Sequence, residues 1–409
     1  MQSDEYQEFQ ERMAFEKELN ILRNDFYYKL IDGQETTLVD FMYYPLDTLS
    51  GDIYTARQVT ADKIFYLLVD GMGKGLSASL TSMIMTAYIN HKIDKMFQEQ
   101  HCCFEELIED ALEFIRPILL EEEALAIDFI CFDTTKKKLH YAKFAMPFAL
   151  LQKETNEVLK IKSNNPPLSK WTKHFQVDTF DVKDIKKFLF ISDGIVENKT
   201  KDGSLYLQHI EKDFSCSFTR EEFKSRLFDK LDTIEDDLTL IFLNKLPLNE
   251  SAFMEQRTFE TSLDAVEEAT EWYSSIWEKI APHSKSFARA GIVFGELFMN
   301  AYEHGNLDID SETKHQMLAD DTYIDTLLDL EKKCQKSLHV KIYKFTNAHH
   351  KYIVTEIEDE GRGFDTQMLS TIFRNSHKFN GRGVFVSRKN SIGIYYNTKG
   401  NKVLFLNKI

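Results

Sequence analysis

The stretch LLVDGMGKGLSASL, residues 67–80, decides how the middle of this chain is read. An apolar run bounded by turn residues predicts a strand, and a helical pattern over about residues 75–98 follows it. The strand closes on Asp70 and Gly71. A carboxylate there is held rigidly yet faces an open edge, and a neighbouring glycine removes the Cβ that would block a ligand. One Asp-Gly is an ordinary turn. Recurrence changes that reading: Asp52 in SGDIY, Asp193 in FISDGIVE, and Asp236 with Asp237 in EDDLTLIFL also sit where strands stop. GMGKG is not a phosphate loop, because Lys74 is followed by Gly75 rather than Ser or Thr.

Working outward, LVDFMYYP, KIFYLLVDG, AIDFICFD, KLHYAKFAMPFALLQ, KKFLFISDG and LTLIFLNKL read as strands, with helices at about 75–98 and 104–120. Strands on both sides of a helix pair imply an α+β layered domain over residues 31–246. Before it, Phe15, Leu19, Leu22, Phe26 and Leu30 recur at helical spacing and predict one helix over residues 1–30, either docked on the next domain or forming a coiled coil. KLPLNESAF reads as a linker. A second domain, residues 257–409, then carries two amphipathic helices, an acidic helical stretch near 311–336 and the strands HVKIYKFT, KYIVTEIED and KVLFLNKI.

The 409 residues exceed what one core organises. A net charge of −16 repels phosphate backbones and anionic lipid, so nucleic acid and membrane surfaces are not expected partners. No apolar run approaches a membrane span, and five cysteines without CxxC spacing fit a cytoplasmic protein with reduced thiols.

Convergent carboxylates repel one another unless cations neutralise them, and hard oxygen donors without His or Cys suit Mg²⁺ or Mn²⁺. Two such ions in one site support hydrolysis of a phosphate ester without a covalent phosphoenzyme. On SGDIY, VDGMGKGLSASL, ISDGIVE and DDLTLIFL, in that order, residues 40–245 resemble the SpoIIE and RsbU branch of the PPM metal-dependent Ser/Thr phosphatases. The resemblance implies an αββα sandwich, with metals held by Asp52, Asp70, the carbonyl of Gly71, Asp193 and Asp236, and Asp237 as an adjacent candidate. AKFAMPFALL departs from the AGHxP-like stretch of many members, which bears on substrate preference. The family's characteristic substrates are phosphoserine or phosphothreonine on STAS-domain anti-sigma-factor antagonists.

In GELFMNAYEHGN, Glu296 and Asn300 share a helix face, where a carboxylate can polarise a nucleophile and an amide can hold Mg²⁺. EDEGRGFD, with Asp359, Gly361 and Gly363, and FNGRGVFV, with Gly381, Arg382 and Gly383, add glycine-rich turns whose amides can approach phosphate. Together these resemble the GHKL ATPases, closest to RsbW-like serine kinases and anti-sigma factors. The resemblance implies a two-layer α/β sandwich that binds ATP with Mg²⁺. In it Asn300 ligates the ion, Glu296 is the general base, Asp359 reads adenine, and the glycines with Arg382 enclose the phosphates.

The expected function is an opposed pair: one domain removes phosphate from a STAS-type partner and the other restores it from ATP. The alternative makes the ATP-binding domain a module that sequesters a sigma factor or antagonist, or regulates the phosphatase in cis. A homodimer through the N-terminal helix is a further expectation.

Overall fold

The computed structural model describes residues 2–31, 35–73, 76–348, 350–366 and 387–409. These form two compact units, Met1–Phe26 with Asp40–Asn244 and Tyr27–Val39 with Lys245–Ile409.

The first unit opens on α1 (Gln2–Ile21). The helix expected over residues 1–30 therefore ends early, although Leu22 and Phe26 are buried beyond it. Its backbone leaves the helix to pair with an extended segment: Ala56 N–H donates to Arg23 O and Asp25 N–H to Ala56 O, both at 2.9 Å. Those bonds satisfy groups that a helix would have bonded internally.

Next come β1 (Thr37–Tyr44), β2 (Asp52–Gln58), β3 (Lys63–Gly71), α2 (Leu76–Glu99) and α3 (Phe104–Ile115). A run of strands follows: β4 (Ala124–Asp133), β5 (Lys138–Phe144), β6 (Ala149–Lys153), β7 (Val158–Ile161), β8 (Leu168–Ser169), β9 (Asp178–Asp181) and β10 (Ile185–Ile191). The unit closes with α4 (Asp193–Glu197), α5 (Ile210–Cys216), α6 (Arg220–Lys230) and β11 (Leu238–Lys245).

One sheet runs β2-β3-β4-β5-β9 with β8 on β4, and the other runs β1-β11-β10-β6-β7. They meet face to face, with Phe132 of β4 edge-on to Phe188 and Phe190 of β10 at 5.1 and 6.4 Å. Helices α2 and α3 cover the first sheet, Phe104 lying against Phe65. On the other side, Phe214 of α5 and Phe223 of α6 pack on Phe242 of β11. The layers are thus helix, sheet, sheet, helix. Helices α5 and α6 are not among the sequence expectations, although Thr219 and Glu222 form a capping box that the T-x-x-E spacing signals.

KLHYAKFAMPFALLQ, read as one strand, is divided between the two sheets as β5 and β6. Lys143 is buried in an ion pair with its cross-strand partner Asp128. Just after it the chain turns at Ala145, whose φ is +55°. Left-handed backbone costs a residue with a Cβ about 1–2 kcal/mol.

The second unit contains β12 (Phe253–Glu260), α7 (Leu263–Ile280), α8 (Lys285–Asn300) and a π-helical turn, Ala301–Asn306. After them come α9 (Ser311–Ala319), α10 (Tyr323–Glu331), β13 (Ser337–Asn347), β14 (His350–Asp359), β15 (Gly393–Tyr396) and β16 (Lys402–Lys408). The acidic stretch expected as one helix is thus two. The antiparallel sheet β12-β13-β14-β16-β15 carries α7 and α8 on one face, where Tyr273 and Phe294 stack at 4.1 Å. The segment around Tyr28 and Leu30 adds to its edge: Tyr396 N–H donates to Tyr28 O at 2.7 Å and Leu30 N–H to Tyr396 O at 3.0 Å.

Ala145→Gly relieves the left-handed strain at some cost in unfolded-state entropy, so the net expectation is stabilisation of about 1 kcal/mol. A melting temperature raised by about 2–4 °C checks it.

Candidate functional site

Cross-strand register brings the acidic motifs to one end of the first unit. Asp52 and Asp70 are direct partners across β2 and β3. Asp193 opens α4 immediately after β10, and Asp236 and Asp237 lead into β11, which pairs with β10 through Ile191 and Leu240. The expectation that every acidic site lies where a strand stops is corrected here. Asp52 opens its strand and Asp236 and Asp237 precede theirs; antiparallel pairing, not chain direction, gathers them. Each sheet supplies one pair of Asp52, Asp70, Asp193 and Asp236.

Close backbone approach fixes the group. A Cβ on Gly71 would stand 2.7 Å from Ala78 O, and one on Gly194 would stand 2.0 Å from Asp237 O. Asp237, expected beside the metal ligands, has both oxygens engaged elsewhere: Oδ1 accepts from Leu46 N at 2.6 Å and Oδ2 from Gly51 N at 2.8 Å. It clamps the loop that leads into Asp52. Ser82 donates to Gly51 O at 2.7 Å from α2, and Gly71 N donates to the same carbonyl at 3.1 Å. Asn198 ties the other pair together, donating to Gly194 O at 2.5 Å and accepting from Glu235 N at 2.7 Å.

The electrostatics are those of a cluster that calls for positive charge. Burial holds Asp52 well above the usual carboxylate range; the Ser192 and Thr239 hydroxyls lean toward it and lower it, while Asp237 and Asp193 raise it. Its Oδ2 nevertheless has no hydrogen-bond partner. Asp70 is also raised far above that range, by burial first, then by the charges of Asp52 and Asp193 and a hydrogen bond with Asp193. A bound cation would relieve the mutual repulsion that raises both. Among the described residues no group of three or more Asp, Glu, His or Cys is spaced to hold an ion as it stands. The fit to Mg²⁺ or Mn²⁺ rests instead on the all-oxygen donor set and the orphaned buried oxygen of Asp52.

Glu18 of α1 is a residue that sequence reasoning missed. It is fully buried with neither carboxylate oxygen hydrogen-bonded, and burial pushes its pKa to about 7, opposed by the Ser50 amide and reinforced by Asp237. A signal existed: a charge on the stripe of Phe15 and Leu22, where a helix face turns inward.

In the second unit, Glu296 and Asn300 face each other on α8, the Asn300 amide donating to Glu296 Oε1 at 3.3 Å. The π-helical turn after α8 carries Gly305 against Asp359, where a Cβ would lie 2.4 Å from the carboxyl carbon. Gly361 donates to Asp359 Oδ1 at 2.8 Å and itself packs on Gly305 O. Asp359 is buried at the end of β14, and burial raises its pKa to about 6 against the lowering effect of Gly361 N–H. The Tyr396 phenol is raised by burial, then by the charges of Glu296 and Asp359. Gly363, at φ +76°, passes so close to Lys399 O that no side chain fits. Gly381, Arg382 and Gly383 lie outside the described residues.

The α9–α10 insertion is latched to the back of this turn. Buried Glu303 accepts from Lys314 at 2.5 Å and from the Tyr323 hydroxyl, and Tyr302 donates to Glu331 at 2.5 Å. Nothing in the acidic sequence of the insertion marks those partners.

Residues 60–245 match the family model described as Stage II sporulation protein E (SpoIIE). Asp70, Gly71, Asp193, Asp236 and Asp237 fall within that span, and Asp52 lies just before it. No curated protein matches the chain. Among solved structures, the RsbU and RsbW domains of Rv1364c from Mycobacterium tuberculosis are 13% identical with a TM-score of 0.46, over 91% of this chain and 94% of that one. The phosphatase domain and regulatory fragment of SpoIIE from Bacillus subtilis are 18% identical with a TM-score of 0.43, over 51% and 63%. RsbX in complex with magnesium is 15% identical with a TM-score of 0.40, over 53% and 99%.

Gly194→Ala forces the Asp237 backbone away and is expected to cost about 1–3 kcal/mol. A lower midpoint in urea unfolding, with the slope unchanged, checks this.

Proposed function

We propose that the first unit is a metal-dependent protein-serine/threonine phosphatase acting on a regulatory partner, and that the second binds ATP. The observation that carries the first half is the convergence of Asp52 and Asp70 from one sheet with Asp193 and Asp236 from the other. When bound, two divalent ions would activate water for attack on phosphorus and offset charge on the phosphoryl oxygens. The chain's own residues do the rest. Asp52, Asp70, Asp193, Asp236 and the Gly71 carbonyl present the oxygen donors. Asp237 holds the loop through Leu46 and Gly51, and Asn198 fixes the spacing between Gly194 and Glu235.

Under this reading the partner is a STAS-type anti-sigma-factor antagonist carrying phosphoserine or phosphothreonine, as the resemblance to SpoIIE and RsbU implies. The protein works in the cytoplasm, and α1 supplies a homodimer contact. In the second unit Asp359 accepts a hydrogen bond from the adenine amine, Asn300 ligates Mg²⁺ and Glu296 serves as general base toward the partner's hydroxyl. The second reading makes this unit a binding module for a sigma factor or antagonist, with nucleotide tuning affinity. It draws support from the α9–α10 insertion, which presents Leu318, Ile324 and Leu328 to solvent.

Mn²⁺-dependent phosphate release from phosphoserine proteins is expected for the intact chain, with a loss of at least about a hundredfold in Asp70→Asn and in Asp193→Asn, since even outer-shell changes cost 10–100-fold. Full activity in either variant would sink the phosphatase reading.

ATP affinity should fall as pH drops through about 6, where Asp359 gains a proton and stops accepting from adenine. The linkage sign is opposite for the nucleotide-free unit. Because the folded pKa is raised, the stability contributed by protonated Asp359 is present at low pH and lost as pH rises through about 6. Titration with a fluorescent ATP analogue between pH 5 and 8, beside thermal melts over the same range, reads both.

A further inference from the structure

Beside Asp70 and Gly71 the first unit exposes large apolar side chains that its own packing leaves uncovered. Met72 is 56% exposed, Leu76 68%, Leu80 51%, Leu120 66% and Trp171 65%. Scattered exposed apolar residues need no explanation, but a contiguous group at the rim of a site does.

Hydrogen bonds place these five around one end of the first sheet. Met72 N–H, two residues past Asp70, donates to Ala124 O at 3.2 Å. Ala124 pairs with Ser169 across β4 and β8, and Trp171 N–H donates to Ser169 Oγ at 3.3 Å. From the other side, Thr81 beside Leu80 donates to Glu123 Oε1 at 2.5 Å, and Leu120 N–H donates to Glu123 Oε2 at 3.1 Å. Leu76 and Leu80 lie one helical turn apart on α2, on the same exposed face. The rim therefore starts at the carboxylate cluster and runs outward through Met72.

Its outer border is acidic. Glu121 and Glu122 follow Leu120 directly and are exposed; Lys170 approaches Glu121 at 3.9 Å and lies over the Trp171 ring, 5.8 Å from its centroid.

We infer that this rim is the docking surface for the phosphorylated segment of the protein substrate, taking large apolar residues that flank the phosphoserine and a Lys or Arg beyond them. The inference rests on the phosphatase reading of the same site. Apolar flanks bury Leu76, Leu80 and Trp171 without any residue change at the carboxylates, and the basic residue meets Glu121 and Glu122. The rim then acts on substrate choice and leaves the reaction at phosphorus untouched.

The test uses the full chain with Mn²⁺ and four substrates: p-nitrophenyl phosphate, a synthetic phosphoserine peptide with flanking Leu and a distal Lys, the same peptide with Ser for Leu, and the same peptide with Asp for Lys. We expect kcat/KM about tenfold higher for the Leu–Lys peptide than for the Ser form, the scale on which apolar pockets discriminate. The Asp form should also be slower. In the doubly substituted Leu76→Ser, Trp171→Ser chain the Leu-to-Ser ratio should fall to near one, with p-nitrophenyl phosphate turnover unchanged. A ratio near one in the unmodified chain, or a ratio that survives the double substitution, overturns the docking inference alone. Failure of the unmodified chain to hydrolyse any of the four substrates overturns the phosphatase reading, and the inference with it. Light scattering separates the other occupant: a dimer that becomes a monomer in the double variant, with peptide ratios unchanged, assigns the rim to a second copy of the chain and also overturns the inference.

Discussion

Carboxylates gathered at one end of a sandwich repel one another, and the first unit is organised around holding them there. Two of the four sit in the first sheet and two at the end of the second, so separating the charges would mean separating the layers. The layers are joined by aromatic contacts such as Phe132 against Phe188, deep enough to resist that. The backbone near the charges is then locked by groups that carry no donor role: Gly194, which lets the Asp237 carbonyl close in, and Asn198, which ties one loop to another. Unfavourable charge and rigid support belong together, because a flexible site would relax by turning its acids toward water.

How much of this is legible in the sequence depends on how local each signal is. Asp70 and Gly71 can be recognised because the strand, the acid and the glycine are adjacent, and Asp193 with Gly194 repeats the pattern. The role of Asp237 is invisible for the opposite reason: the amide it grips at Gly51 is 186 residues away. Glu18 looks like one charge among many on a charged helix until its neighbours are known. The division of KLHYAKFAMPFALLQ between two sheets is obscured because both halves are apolar and periodic, although Pro147 in the sequence and the strained backbone at Ala145 mark the break. Helix α6 announces its start at Thr219, whereas α5 owes its existence to Phe214 finding a place on Phe242.

In the second unit the same contrast appears within a few residues. The motif letters around Asn300 and Asp359 are plain, but their geometry depends on a widened helical turn that delivers Gly305 onto the carboxyl of Asp359 while Gly361 presses on Gly305 in return. Contacts of this kind leave no room for a side chain at either glycine. Such π-type turns concentrate where a helix must present a group it could not otherwise reach.

The route of the polypeptide through the two units has a consequence for biosynthesis. Residues 27–31 belong to the second unit, yet the chain then returns to build nearly all of the first before the rest of the second, from residue 245, is made. On a ribosome adding about 5–20 residues per second, that strip waits roughly 20–70 s for the edge strand whose Tyr396 it will bond. During that interval Leu30, which ends up fully buried, has no native place to go. Completion of the second unit is therefore tied to a stretch made long after the strip that it pairs with. A nascent protein stalled between the two would hold a finished first unit beside an exposed apolar strip, a form that cellular quality control is equipped to detect.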